Sequence, residues 1–158
     1  MASSHDLVLT TVPGGSALSP FRAAALLTRL QAVVPSVTGL SARYVHQVAS
    51  HEPLDGATLE TVTRLLTYGP EAGPEPAGEH LTTVVVSPRL GTLSPWASKA
   101  TDIAHNCGVD VRRVERVTEY RLASSSRLSE SDWAAAADVL HDRMTESALP
   151  SVEATRAL

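Results

Sequence analysis

Two stretches of the chain decide the fold that the sequence predicts. They are Val-Pro-Gly-Gly-Ser-Ala-Leu-Ser-Pro-Phe at residues 12–21 and Ser-Pro-Arg-Leu-Gly-Thr-Leu-Ser-Pro-Trp at residues 87–96. Both contain a proline near the start, then Leu-Ser-Pro, then an aromatic residue. A weaker similarity continues downstream, where Val48-Ala49-Ser50 matches Leu122-Ala123-Ser124. Self-similarity at a nearly fixed offset indicates one structural unit present twice.

Each half opens with a predicted strand and helix. Residues 7–12 and 82–86 are short β-branched runs that lead into proline, a pattern typical of strands. Helices are predicted to begin after Ser19 and Ser94, because serine caps free amide groups and proline fits the first helical position.

Each half then closes with a second strand and a second helix. Longer strands are predicted over residues 37–50 and 111–123, the second showing the clearer alternation. Asp55 and Ser129 occupy cap positions before amphipathic runs, so each half ends in a helix. The predicted order is strand, helix, strand, helix, twice.

The domain boundaries follow from this order. We expect one domain over residues 1–147, made of halves at about 6–68 and 81–144. Residues 69–80 are rich in Pro, Gly and acidic residues, which predicts an exposed linker between the halves. The helical pattern decays after Met144, so residues 148–158 are predicted to form a flexible tail.

The helix predicted after Ser94 has two unlike faces. Its i, i+3, i+4 rhythm predicts a buried face made of Trp96, Ala100, Ile103, Ala104 and Cys107. The same spacing predicts a polar face made of Ser98, Thr101, Asp102 and His105. Cys107 is therefore interpreted as a small core hydrophobe rather than a nucleophile paired with His105 or His141.

The start of the same helix allows two interpretations. Arg89 and Lys99 flank its free amide groups, so a phosphate or carboxylate could bind there. The favoured interpretation is an ordinary capped helix whose polar side faces solvent or a partner. A second candidate docking surface is the charged end of the last helix, around Asp142, Arg143 and Glu146.

Catalytic and metal sites are not predicted. The histidines show no recognised ligand spacing, and the chain contains neither a Walker loop nor a glycine-rich dinucleotide turn. Asp102 and His105 could exchange a proton, but a dyad without a nucleophile explains no reaction.

Composition limits the chain to ordinary globular functions. Its 158 residues are 43% hydrophobic and 19% charged, which suits one compact domain. The net charge is -4 with scattered basic residues, so nucleic acid and anionic membranes are poor partners. A single cysteine excludes an intrachain disulfide, and no apolar run reaches the ~20 residues that span a bilayer. Residues 1–6 lack the features of a secretory signal, so we expect a cytoplasmic protein.

One long motif and three short ones carry a family resemblance. The long motif runs from Ser87 to Gly108, and its most specific part begins at Leu93-Ser94-Pro95-Trp96. The short motifs are Tyr68-Gly69-Pro70, Val114-Glu115-Arg116 and Leu140-His141-Asp142-Arg143-Met144. Residues from about 16 to 146 resemble the N-terminal domain of the large, single-chain phosphoribosylformylglycinamidine synthase, an enzyme of purine biosynthesis. The first half of the chain carries the looser part of this resemblance.

The resemblance implies a role without chemistry of its own. The whole enzyme is a ligase that uses ATP and glutamine to amidate formylglycinamide ribonucleotide. In the family, the N-terminal domain resembles a fused dimer of a small accessory subunit, bridges the synthetase and glutaminase parts, and helps shelter ammonia. ATP and Mg²⁺ are therefore expected on the partner synthetase, with no cofactor on this chain. Cys107 lies in the matching helix and is not the glutaminase nucleophile.

We therefore expect an α+β fold with two ferredoxin-like halves, whose helices lie on one face of an antiparallel-rich sheet. The resemblance implies an accessory domain that docks the synthetase and glutaminase and has no activity alone. The alternative is a small enzyme or a phosphometabolite-binding protein that has reused the fold in a secondary-metabolite pathway. A structural homodimer that pairs through exposed sheet edges is the third possibility. Partner or ligand contacts are expected from Arg89, Thr92, Ser94, Trp96, Ser98, Lys99, Thr101, Asp102, His105, Asn106, His141 and Arg143.

Overall fold

Strands and helices alternate along the chain in the computed structural model, which describes residues 7–89 and 94–154. The elements in chain order are β1 (Val8–Ser16), α1 (Pro20–Val33), β2 (Val37–Ser50), α2 (Gly56–Leu65), β3 (His80–Pro88), α3 (Pro95–Asn106), β4 (Arg113–Ser124), α4 (Glu130–Leu140) and β5 (Glu146–Leu149). The predicted order of strand, helix, strand, helix, twice, is confirmed, and one short strand follows it.

Side chains at the predicted positions start all four helices. Ser19, Asp55, Ser94 and Ser129 are the N-cap residues, and each side-chain oxygen accepts a backbone N–H from three residues further on. These bonds satisfy amide groups that have no partner within the helix. The cap of α4 is reciprocal, since Asp132 accepts the backbone N–H of Ser129 in return.

The strands form one antiparallel sheet in the order β1-β2-β4-β3-β5. The long strands β2 and β4 pair at its centre, with Val45 opposite Val117. Each half contributes one central strand and one strand outside it. The fold is α+β and agrees with two ferredoxin-like halves joined through β2 and β4.

The helices lie on one face of the sheet, as the sequence predicts. Val48 pairs with Val114 and Leu40 pairs with Leu122, and even-numbered residues of these strands share a face because side chains alternate. At one end of this face, α1 and α4 cover a core that contains Leu30 and Leu122. At the other end, α2 and α3 contribute side chains to a second core, formed by Val12, Val48, Val62, Leu66, Ala104, Val109, Val111 and Val114.

The opposite face of the sheet is partly covered by the chain itself. Val45, Val85 and Val117 are buried there, and Leu149 and Val152 pack against them. Leu149 belongs to β5, which pairs with β3. The sequence pattern missed this strand because it has only four residues and is held by pairing with β3. Residues 155–158 lie outside the described part of the chain.

The linker between the halves touches the sheet at several points. The carbonyl of Pro70 accepts the N–H of Ser16, and Glu75 pairs with Arg121. Further along, Gly78 lies against Ala123, so closely that a Cβ added to the glycine would be 2.7 Å from the alanine Cβ. Most linker residues are exposed, and these contacts attach the segment to the sheet.

Among the described residues, no helix is both long and apolar enough to cross a membrane.

Candidate functional site

A buried histidine forms the centre of the most polar part of the core. His46 lies on β2 at the end of the sheet that α2 and α3 cover, and its side chain is fully buried. Its Nδ1 donates to the carbonyl of Val12 at 3.2 Å, and its Nε2 accepts the hydroxyl of Tyr68 at 2.8 Å. The two partners fix one neutral tautomer of the ring, because a carbonyl can only accept.

Burial keeps this histidine uncharged at neutral pH. Removal from water lowers the pKa of His46 to about 4, since the charged form loses its hydration. The bond to Val12 opposes this shift, and the positive charge of Arg116 adds to it. Near pH 7 the imidazole therefore acts as a fixed hydrogen-bonding group and not as a proton carrier.

Arg116 completes a cluster of rings around the histidine. It lies on β4 directly opposite His46, and its guanidinium is 4.1 Å from the ring centre of Tyr44 and 4.6 Å from that of Trp96. It also donates to the hydroxyl of Tyr68 at 3.2 Å, while Trp96 stacks on His46 with ring centres 5.5 Å apart. We call Tyr44, His46, Tyr68, Trp96 and Arg116 the aromatic cluster. Cation–π contacts and hydrogen bonds hold the start of α3 against the sheet. They also hold Tyr68, which follows the end of α2, against it.

A cavity of about 200 Å³ lies beside this cluster, between α2 and α3. Its lining is mostly apolar and consists of Val62, Leu65, Leu66, Tyr68, Trp96, Lys99, Ala100, Ile103, Ala104 and Val114. At the other end of the sheet, α1 and α4 pack against each other over a shared core. Each pair combines one helix from each half, and the two pairs differ in how closely their helices approach.

A carboxylate already faces the predicted anion site at the start of α3. Ser94 accepts the N–H of Ala97 and donates to Glu115 at 3.2 Å. Glu115 also accepts from Arg113 at 2.7 Å. The negative charge complements the positive end of the helix, so an added anion would meet repulsion from Glu115. This geometry supports the interpretation of a capped helix.

The predicted polar face of α3 divides into two groups. Thr101 and His105 are bonded to the backbone, Thr101 donating to Ala97 and accepting from Val114, and His105 Nε2 donating to Val111. Asp102 and Asn106 are exposed, and Ser98 is half-buried. Trp96 and Lys99 line the cavity. Thr92, also a candidate, lies outside the described residues.

Cys107 is exposed, so its prediction as a core residue is wrong. Ile103 of the same predicted stripe is 46% exposed. The buried residues of α3 are Ala104, as predicted, and Ala97, which the predicted stripe did not include. The helix ends before Cys107, and Val109 and Val111 fill the core below that point. Trp96 and Ala100 of the predicted stripe are half-buried and pack against the second core.

The remaining candidates lie near β5 and the end of α4. Arg143 pairs with Asp138 at 2.6 Å, and hydrogen bonding from Arg143 lowers the pKa of that carboxyl. His141 is bonded through Nδ1 to Ala137, and the backbone N–H of Arg89 donates to Thr145 beside β5. The fold does not bring these three candidates together with the face of α3. Their roles in contacts stay predictions.

A second, more polar cavity of about 340 Å³ lies on the helix-free face. Arg43 and Arg121 line it together with Glu119. Arg43 is 2.8 Å from Glu119, and Arg121 is 3.1 Å from Glu75, so both guanidiniums have carboxylate partners. No group of three or more His, Cys, Asp or Glu side chains suited to a metal ion occurs in residues 7–89 and 94–154.

Sequence reasoning missed the aromatic cluster. His46 has no recognisable ligand spacing, and its partners are distant in sequence. They are Val12 on β1, Tyr68 after α2, Trp96 on α3 and Arg116 on β4. The strand predicted over residues 37–50 does contain a usable signal, because alternation places Tyr44 and His46 on the same face as Val48. A histidine on the core-facing side of a strand needs hydrogen-bond partners inside the protein.

The chain matches a known protein family. The family model described as Formylglycinamide ribonucleotide amidotransferase N-terminal matches residues 43–158. The matched region is well over half of the chain and begins within β2. It contains all five residues of the aromatic cluster.

Proposed function

The chain belongs to the family of formylglycinamide ribonucleotide amidotransferase N-terminal domains, and from this premise we propose that it is a non-catalytic docking domain. Membership gives it a role in phosphoribosylformylglycinamidine synthase and in purine biosynthesis. In the proposal, the chain holds the synthetase and glutaminase parts together and helps shelter the ammonia that passes between them. A cytoplasmic location is part of the same proposal.

The pseudo-symmetric sheet is the observation that carries the proposal. Two similar halves pair through β2 and β4, and the helices of both halves lie on the same face. A dimer of a small subunit, fused into one chain, would have this arrangement. Such a domain offers a wide rigid surface, which suits a part that positions two larger partners.

The α3 surface supports docking more than chemistry. Thr101 and His105 are bonded to the backbone of their own chain, which fixes them as structural groups. Lys99, Asp102 and Asn106 remain at the surface, where a partner could reach them. We place the partner contact on this face, and we place ATP and Mg²⁺ on the synthetase.

The alternative function has less support. A phosphorylated metabolite would need cationic or N–H groups that converge on one point, and Glu115 already faces the start of α3. Calorimetry separates the two proposals, using formylglycinamide ribonucleotide, ATP and glutamine one at a time. A docking domain predicts no measurable heat from each compound alone, whereas saturable heat from one of them would favour a ligand-binding protein.

Association with the partners tests the proposal. The purified chain is mixed with a synthetase of this family that lacks its own N-terminal domain, and with the glutaminase. Size-exclusion chromatography with light scattering is expected to show the chain in a larger complex. Separate elution of all three proteins at micromolar concentrations would contradict docking.

A further inference from the structure

Exposed apolar side chains surround the cavity between α2 and α3. Tyr68 and Ile103 line it and are 36% and 46% exposed. Leu59 is 38% exposed and lies three residues before Val62 on α2, so both are on one side of that helix. An apolar opening ringed by exposed apolar groups is the usual mark of an interaction site.

The size and lining of the cavity favour a protein side chain over a metabolite. Its volume of about 200 Å³ is below the range of about 300–1,000 Å³ usual for small-molecule sites. Its polar groups are few, and the Tyr68 hydroxyl is already bonded to His46 and Arg116. A nucleotide or sugar phosphate would leave its polar groups unpaired there.

The spacing of the lining residues fits a helix as the occupant. On α3 the cavity is lined by positions 96, 99, 100, 103 and 104, and on α2 by positions 62, 65 and 66. Both sets follow the i, i+3, i+4 rhythm of one helical stripe. Two such stripes facing each other across a gap form a groove that an amphipathic helix can enter.

The positive charge of Lys99 predicts that the occupant carries a carboxylate. Lys99 is the only charged residue in the cavity lining, and it forms no ion pair with the part of the chain that the structure describes. A carboxylate on the occupant would complement it.

We propose that the groove between α2 and α3 receives an amphipathic helix of the synthetase. A bulky apolar side chain of that helix enters the cavity, and a nearby carboxylate pairs with Lys99. This inference rests on the proposed docking function and assigns it to one surface.

Titration of the synthetase into the full-length chain tests the inference, with Kd measured by calorimetry. Ile103→Glu places a charge in the rim and is expected to weaken binding at least tenfold, about 1.4 kcal/mol. Ala100→Leu fills the cavity from an incompletely buried position and is expected to weaken binding similarly. Lys99→Glu should also weaken it, and Lys99→Arg should retain it.

Phe21→Glu is the control, because Phe21 is an apolar residue 84% exposed on α1 and does not line the groove. Its Kd is expected to equal that of the unmodified chain. Normal binding by folded Ile103→Glu and Ala100→Leu variants would overturn the inference while leaving docking intact. Loss of binding by the Phe21→Glu variant, with normal binding by the groove variants, would also overturn the inference and would place the interface elsewhere. Absence of binding by the unmodified chain would overturn the docking function itself.

Discussion

Tyr44 of β2 lies directly opposite Thr118 of β4, the residue that corresponds to it in the second half of the repeat. An approximate two-fold axis therefore passes between these two residues. The pairs on either side are reciprocal: His46 pairs with Arg116, and their counterparts Tyr120 and Ala42 pair with each other. Reciprocal pairing of this kind defines the interface of a symmetric dimer.

The backbone is more symmetric than the side chains. His46 and Arg116 form the aromatic cluster at one end of the sheet, whereas Tyr120 and Ala42 lie at the other, mainly aliphatic end. Each end of the sheet is built from both copies, so the two ends can carry different surfaces. We expect the polar, less closely packed end, between α2 and α3, to carry the partner contact.

His46 is expected to make stability depend on acidity. The pKa of His46 is lowered to about 4 in the folded chain, against 6.5 for an ordinary histidine. Between these values the unfolded chain binds a proton that the folded chain does not. The free energy of unfolding should therefore fall as the pH falls from 6.5 towards 4. Urea denaturation at several pH values measures this, and His46→Phe should have a shallower slope. An equal slope in both proteins would contradict it.

The Tyr68 hydroxyl is expected to stabilise the fold. Tyr68→Phe leaves His46 Nε2 buried without a donor and removes one acceptor from Arg116. The cost should be about 1–3 kcal/mol in the free energy of unfolding. Tyr44→Phe is the matched control, because the Tyr44 contact with Arg116 uses the ring face. Equal stability of the two variants would refute the role of the hydroxyl.

The linker path is expected to limit substitution at one glycine. Gly78→Ala brings a new Cβ to 2.7 Å from the Cβ of Ala123, so the linker must shift. We expect a loss of about 1–3 kcal/mol from overpacking. Gly73→Ala in the same linker meets nothing within 4 Å and should not destabilise the fold. Equal melting temperatures for the two variants would contradict the close contact between Gly78 and Ala123.

The thiol of Cys107 is expected to react freely in the native protein. The side chain is exposed at the end of α3. A chromogenic disulfide reagent should modify it at a rate within a few-fold of that in urea, because no unfolding is needed first. Strong protection in the absence of urea would restore the interpretation of a core cysteine.

Local chemistry made much of the fold predictable from the sequence. The caps at Ser19, Asp55, Ser94 and Ser129 and the bounds of β2 were predicted because they depend on neighbouring residues. The register between β2 and β4, and the strand β5, depend on pairing between distant segments. Neither leaves a distinct pattern in a short stretch of sequence.

The candidate site was harder to predict for the same reason. Trp96 and Lys99 were identified from the motif that contains them, and they do line the cavity. His46 and Tyr68 come into contact only when the residues that follow α2 pack against β2. Cys107 was misplaced because the helical rhythm was extended by one residue past Asn106, where α3 ends.

Turnover by a reconstituted synthetase and glutaminase tests the central claim most directly, with glutamine or free ammonia as the nitrogen source. If this chain couples the two parts, its addition should raise the glutamine-dependent rate much more than the ammonia-dependent rate, and the chain alone should give no product. An equal glutamine-dependent rate with and without the chain, or product formation by the chain alone, would contradict the account.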